Sequence, residues 1–114
     1  MKLLSRSEEI ILVTILKLGD KAYGVSIHEQ IQKDTGDEWS FASIYQPLLR
    51  LTKKQYVSRI KGDPSAERGG KSKYFYELTS YGRKALLKIK ASHEKIWKGA
   101  PLITAEQVTE GEIE

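Results

Sequence analysis

Polar and cationic side chains are concentrated on one side of the segment Ser40–Lys54. Ile44, Leu48 and Leu51 recur at i, i+4 and i+7, which predicts a helix with these residues on its buried face. The opposite face carries hydroxyl, amide and cationic groups with no evident partner in the sequence. Such groups donate to phosphate oxygens and to the edges of bases. They are Ser43, Tyr45, Gln46, Arg50, Lys53 and Lys54.

A second cationic segment follows this helix. Residues 56–60 and 73–78 alternate with period two, and the glycines and Pro64 between them predict a hairpin with a long loop. A helix with a polar outer face followed by a basic hairpin is the layout of a winged helix-turn-helix, in which the helix enters the major groove and the hairpin flanks it. The candidate residues of the hairpin are Arg68, Gly69, Gly70, Lys71 and Lys73.

Charge is distributed unevenly along the 114 residues, whose net charge is +4. Residues 1–49 hold 5 Lys and Arg against 7 Asp and Glu, residues 50–98 hold 14 against 4, and residues 99–114 hold none against 4. A segment with a net charge of +10 favours a polyanionic partner, and double-stranded DNA fits best. The competing interpretation is a solvated, lysine-rich helix, which would account for Lys84, Lys88, Lys90, Lys95 and Lys98.

The composition argues against other classes of function. Because the sequence has no cysteine, it has no disulfide, thiolate–zinc site or thiol nucleophile, and a cytoplasmic location is expected. No apolar run approaches about 18 residues, so we expect neither a membrane span nor a signal peptide. Two histidines, no phosphate-binding loop ahead of a helix and no clustered carboxylates indicate that the protein is not an enzyme and needs no cofactor or metal.

Capping signals place the helices that must position these groups. The first helix runs from about Ser5 to Leu18, because Ser5 and Glu8 have capping-box spacing and glycine follows Leu18. The second runs over residues 22–33. The expected core comprises Ile10, Val13, Ile27, Ile31, Ile44, Leu48, Leu51, Tyr76 and Leu78.

The third helix has two candidate starts. With Ser40 as N-cap, Pro47 falls inside the helix, where proline removes a hydrogen bond. With Ser43 as N-cap, Gln46 completes a capping box and Pro47 lies in the tolerated first turn.

The last helix follows Thr79 as N-cap and ends near Lys98. Gly82, Leu86, Ile89, His93 and Ile96 recur at steps of four and three, the spacing of a coiled-coil interface. We therefore expect a homodimer formed by Leu86, Ile89, His93, Ile96 and Trp97. A small-molecule effector between the paired helices is a further hypothesis, in which His93 and Trp97 would line the site, although Trp97 is more typical of dimer packing.

In their order and spacing, several short motifs resemble those of the PadR-like family of transcriptional regulators. They are Leu18-Gly-Asp, Tyr23-Gly24, Ser43-Ile-Tyr45, Leu48, Arg50-Leu51, Asp63-Pro64, Glu67-Arg-Gly-Gly70, Lys73, Tyr76-Glu-Leu-Thr79 and Gly82. The resemblance covers roughly residues 5–98. It implies a homodimeric repressor of the short subclass, with a single C-terminal helix, acting at operators with dyad symmetry.

The resemblance also assigns roles to residues. It places Ser43 and Tyr45 at the DNA contact of the third helix, Arg68 to Lys71 at the wing tip, and Tyr23 with Gly24 at the start of the second helix. It favours Ser40 as the start of the third helix. The chain departs from the family where Gln46 separates Tyr45 from the proline, and where Lys54-Gln55 replaces Lys-Gly. The third helix must therefore end in some other way or with a strained Gln55.

The predicted fold is mainly α with a small β-hairpin. A winged helix-turn-helix domain would occupy residues 1–78, a C-terminal dimerisation helix residues 79–98, and an acidic flexible tail residues 99–114. The alternative is a winged-helix module that binds proteins and not DNA. It predicts an apolar or acidic outer face on the third helix, whereas this face is polar and basic.

Overall fold

The computed structural model describes residues 3–62 and 73–108. The predicted wing-tip residues Arg68, Gly69, Gly70 and Lys71 lie outside this range. The elements are α1 (Arg6–Leu18), α2 (Gly24–Thr35), α3 (Phe41–Lys53), β1 (Val57–Lys61), β2 (Tyr74–Leu78) and α4 (Ser80–Trp97), with single 3-10 turns at Gly19–Lys21 and Ala105–Gln107. Four helices and an antiparallel hairpin confirm the predicted fold class.

The ends of α1 follow the predicted capping. Ser5 and Glu8 form the capping box, because the Glu8 N–H donates to Ser5 Oγ at 3.2 Å and the Ser5 N–H donates to Glu8 Oε1 at 2.8 Å. Gly19 ends the helix with a φ of 60°, a conformation that favours glycine. Local sequence therefore defines α1 at both ends.

The start of α3 is the earlier of the two predicted positions. Ser40 is the N-cap, and its hydroxyl accepts from the Ser43 N–H at 3.1 Å. Pro47 consequently lies inside the helix, where it is buried. At the other end, Gln55 has a φ of 67°, so of the two predicted alternatives the helix ends with a strained non-glycine residue.

The core lies between α1, α2, α3 and the hairpin. Val13 was predicted to belong to it but is 38% exposed, and Ile10 is only partly buried. The buried face of α1 is formed by Glu8, Ile11, Leu12 and Ile15. Val13 lies about 200° around the helix from Ile11, because each residue turns an α-helix by about 100°. The buried apolar residues are Ile11, Leu12, Ile15, Ala22, Ile27, Ile31, Ile44, Leu48, Leu51, Tyr56, Val57, Tyr76 and Leu78.

The hairpin binds directly to the segment that precedes α2. Its strands pair with Val57 opposite Leu78 and Arg59 opposite Tyr76. The Tyr76 N–H donates to the Ala22 carbonyl oxygen at 2.8 Å, and Tyr23 forms a β-bridge with Phe75. Residues 22 and 23 are therefore extended, and α2 begins at Gly24, two residues later than predicted.

Candidate nucleic-acid interface

The outer face of α3 is polar and open to solvent. Ser43, Gln46, Arg50 and Lys53 lie at i, i+3, i+7 and i+10 along it, and all are exposed. The opposite face of the helix is held by Ile44, Leu48 and Leu51, each almost fully buried. The orientation of the polar face is therefore set by the core.

Three side chains of α3 and its C-cap are available to bind a ligand. The side chains of Gln46, Lys53 and Lys54 are exposed and make no hydrogen bond or ion pair with any residue in ranges 3–62 and 73–108. Ser43 differs, because its hydroxyl lies 2.8 Å from that of Ser40. A hydroxyl both donates and accepts, so this contact leaves Ser43 further hydrogen-bonding capacity.

Arg50 has a partner inside the protein, so the expectation that this face lacks one is wrong at this position. Arg50 Nε lies 3.8 Å from Oε2 of Glu8, which is buried at the start of α1. No local pattern predicts this pair, because residues 42 positions apart meet only when α1 and α3 pack.

Tyr45 connects α3 with the start of α2. Its side chain is 44% exposed, and a β-carbon at Gly24 would lie 3.6 Å from the Tyr45 hydroxyl oxygen. Tyr45 is therefore the side chain that closely approaches Gly24. Tyr45 and the first turn of α2 form one continuous surface with the polar face of α3.

Lys73 lies where the hairpin meets α2. Its Nζ is 4.3 Å from the centroid of the Tyr23 ring, and this ring meets Phe75 edge to face at 5.6 Å between centroids. Arg59 stacks similarly on Tyr74, with Cζ 4.3 Å from the ring centroid. Cations at the base of the hairpin are thus held against aromatic rings, which limits their conformational freedom.

His28 of α2 contacts the loop before α3. His28 Nε2 lies 2.7 Å from the Trp39 carbonyl oxygen, and the imidazole stacks on Phe41 at 4.6 Å between centroids. This contact joins α2 to the residues that start α3, so it helps to set the geometry of the helix-turn-helix.

The predicted dimerisation residues have different environments along α4. Gly82 is buried, and Leu86 packs against the core of its own domain. Ile89 is half-buried, and His93 Nε2 lies 3.1 Å from Glu9 Oε2. Ile96 and Trp97 are 71% and 62% exposed. Among the predicted dimerisation residues, the most exposed apolar side chains are therefore Ile96 and Trp97, at the end of α4.

A groove of about 360 Å³ lies between α1 and α4. Leu4, Ile89 and Ile96 contribute apolar walls, His93 lines it, and Tyr56 and Tyr81 stack at its floor with 4.7 Å between ring centroids. Trp97 is not part of this groove. The structure thus places His93 and Trp97, predicted to line one effector site, in different surroundings.

The fold and the polar face of α3 define a winged helix-turn-helix protein. Residues 11–88 match the model of the transcriptional regulator PadR-like family, and the chain belongs to this family. Its members are transcriptional regulators and not enzymes. No curated protein sequence matches the chain.

Solved structures of similar fold agree with this assignment. A transcriptional regulator from Clostridium thermocellum is 25% identical, with a TM-score of 0.65 over 80% of this chain and 85% of that one. A PadR-like transcription factor from Bacteroides fragilis is 20% identical, with a TM-score of 0.65 over 82% and 87%. RosR from H. salinarum is 18% identical, with a TM-score of 0.67 over 86% and 81%. Among residues 3–62 and 73–108, no helix combines the length and apolarity of a membrane span.

Proposed function

We propose that the protein is a sequence-specific DNA-binding regulator, acting as a homodimeric repressor at dyad-symmetric operators. The observation that carries this proposal is the outer face of α3. The side chains of Gln46 and Lys53 are exposed there and make no hydrogen bond or ion pair with the described residues, while the opposite face is buried in the core. A helix held in this way can present its polar face to the major groove.

Two kinds of contact would contribute differently. Lys53, Lys54 and Lys73, together with Arg68 and Lys71, would neutralise phosphates and release counterions, which gives affinity without sequence information. Ser43, Gln46 and Tyr45 would approach base edges, and the Gln46 amide has the geometry to pair with adenine. Tyr23 and the wing glycines Gly69 and Gly70 would approach the DNA backbone.

The dimer would set the spacing of two such surfaces. In this proposal residues 1–78 bind DNA, residues 79–98 form the dimerisation helix, and residues 99–114 form an acidic tail. Two copies joined along α4 would read two half-sites about one helical turn apart. Repression follows where such an operator overlaps a promoter. An effector bound beside His93 at the dimer interface would alter the spacing of the two DNA-binding surfaces and hence the affinity for the operator.

Binding to DNA at graded salt tests this function. Duplexes from the region upstream of the protein's own gene and random duplexes of equal length would be titrated by fluorescence anisotropy. With about six phosphate contacts per dimer, the slope of log K against log salt is expected to be about −5. A slope near zero, with no preference for the upstream duplex, would support the protein-interaction module.

A further inference from the structure

Glu8 is a buried carboxylate whose two oxygens face different elements. Its side chain is 8% exposed. Oε1 accepts from the Ser5 N–H at 2.8 Å, within the capping box of α1. Oε2 lies 3.8 Å from Nε of Arg50, on the outer face of α3. One carboxylate therefore connects the start of α1 to the candidate DNA-binding surface.

This arrangement changes what Arg50 can contribute to binding. A buried carboxylate needs nearby positive charge, because burial removes the water that would otherwise stabilise it. Attraction between Arg50 and a carboxylate so poorly exposed is screened less by solvent and salt than attraction between two surface charges. Arg50 is half-exposed, so it faces solvent, but part of its charge is already compensated.

We propose that Glu8 sets the electrostatic affinity of the DNA-binding face, because it holds Arg50 towards α1 and reduces its attraction for phosphate. The inference rests on the proposed DNA binding. Phosphate contacts strengthen binding to every sequence, whereas Ser43 and Gln46 would distinguish bases. A restraint on Arg50 therefore lowers affinity for operator and random DNA alike, and the ratio of the two affinities stays nearly unchanged.

Glu8→Gln separates the charge of this residue from its capping role. Glutamine at the same position completes a capping box as glutamate does, and it has nearly the same volume. In the full-length protein, the freed Arg50 should tighten binding to operator and random duplexes alike, by on the order of tenfold per protomer at 0.1 M salt, and steepen the salt slope by about 0.9 per protomer. The operator-to-random ratio should stay nearly unchanged.

Glu29→Gln is the matched control for net charge. Glu29 is exposed on α2 and has no ion pair among the described residues, so its loss changes the charge equally without freeing Arg50. In an Arg50→Gln background, Glu8→Gln should leave the salt slope unchanged, because the effect acts through Arg50. Equal slopes for Glu8→Gln and Glu29→Gln would overturn the proposal.

Arg50→Gln provides a second test that does not depend on the folding of Glu8→Gln. Because the Arg50 charge is already compensated, its removal should reduce the salt slope less than Lys53→Gln does. Equal reductions would overturn the proposal. If the wild-type protein showed no salt-dependent DNA binding, the proposed function itself would be contradicted. If the wild type bound DNA as expected but the Glu8 variant had the same salt slope as the wild type, only the role of Glu8 would be contradicted.

Discussion

The main-chain carbonyl oxygen of Tyr56 occupies the space that a β-carbon at Gly82 would need. The adjoining contacts reinforce this approach, because Thr79 donates from its N–H to the same oxygen at 3.1 Å and from its hydroxyl to the Gln55 carbonyl oxygen at 2.6 Å. The first turn of α4 is thus fixed to the end of α3 and the start of the hairpin. The direction of α4 is therefore coupled to the position of α3.

Gly82→Ala should destabilise the protein. Alanine favours a helix over glycine by about 1 kcal/mol, but the backbone at Tyr56 must move to admit the methyl group. Overpacking of this kind costs about 1–3 kcal/mol. Here the added methyl group would clash with main-chain atoms, which move less easily than a side chain. We expect a lower free energy of unfolding in urea. Gly24→Ala is the control, since its methyl group would make only an ordinary contact with Tyr45. If Gly82→Ala had a higher free energy of unfolding than the wild type, the main chain at Tyr56 would be shown to move away from α4 at little cost.

Gln46→Ala and Lys53→Ala should change DNA binding in different ways. Gln46 has no partner among the described residues, so its loss should cost about 1–3 kcal/mol at one base position per half-site and leave the salt slope nearly unchanged. Lys53→Ala should weaken operator and random duplexes alike and reduce the slope by about 0.9 per protomer. The measurement is anisotropy on operators with single base changes. Identical behaviour on all duplexes would show that Gln46 does not read a base.

Local sequence was sufficient to predict the four helices, the capping box of α1 and Thr79 as the N-cap of α4, and it indicated the strain at Gln55 as one of two alternatives. Capping boxes, the spacing of Ile44, Leu48 and Leu51, and the glycines after helices act over a few residues, so they are visible in the chain itself. Two results were not predictable in this way. The ion pair between Glu8 and Arg50, and the exposure of Val13, depend on how α1 crosses α3 and the hairpin. Such crossings arise from packing of the whole core and leave no local signal.

Stability should fall in alkaline solution because two tyrosines have raised pKa values. A hydrogen bond with Tyr81, together with burial, raises the pKa of Tyr56, and burial raises the pKa of Tyr76. A raised pKa means that the unfolded state loses its proton first. The stability is therefore fully present below about pH 10 and lost as the pH rises through the folded-state values.

Urea unfolding between pH 8 and 11 would measure this loss. Tyr81→Phe removes the hydroxyl partner of Tyr56 while retaining the stacked ring, so its stability should depend less steeply on pH above 10. Tyr74→Phe is the control, because Tyr74 is exposed on β2. If stability fell equally steeply with pH in the wild type and in Tyr81→Phe, the Tyr56–Tyr81 pair would be shown not to contribute to the alkaline loss of stability.

Ile96→Glu should convert the proposed dimer into a monomer. Ile89 is a poorer position for this test, because it is half-buried against its own chain and a charge there would also destabilise the monomer. Ile96 is 71% exposed, so the single chain loses little when it is replaced. Across a two-fold axis the variant would place two carboxylates in an apolar interface, at a cost of several kcal/mol each.

Ala91→Glu adds the same charge to an exposed position on the other side of α4 and should remain dimeric. Sedimentation velocity would report the oligomeric state, and thermal unfolding would show that the Ile96→Glu monomer is folded. Operator affinity of that monomer should fall towards its affinity for random DNA, because one half-site supplies only part of the discrimination. A dimeric Ile96→Glu, or one that still prefers the operator, would place the dimer interface away from the end of α4.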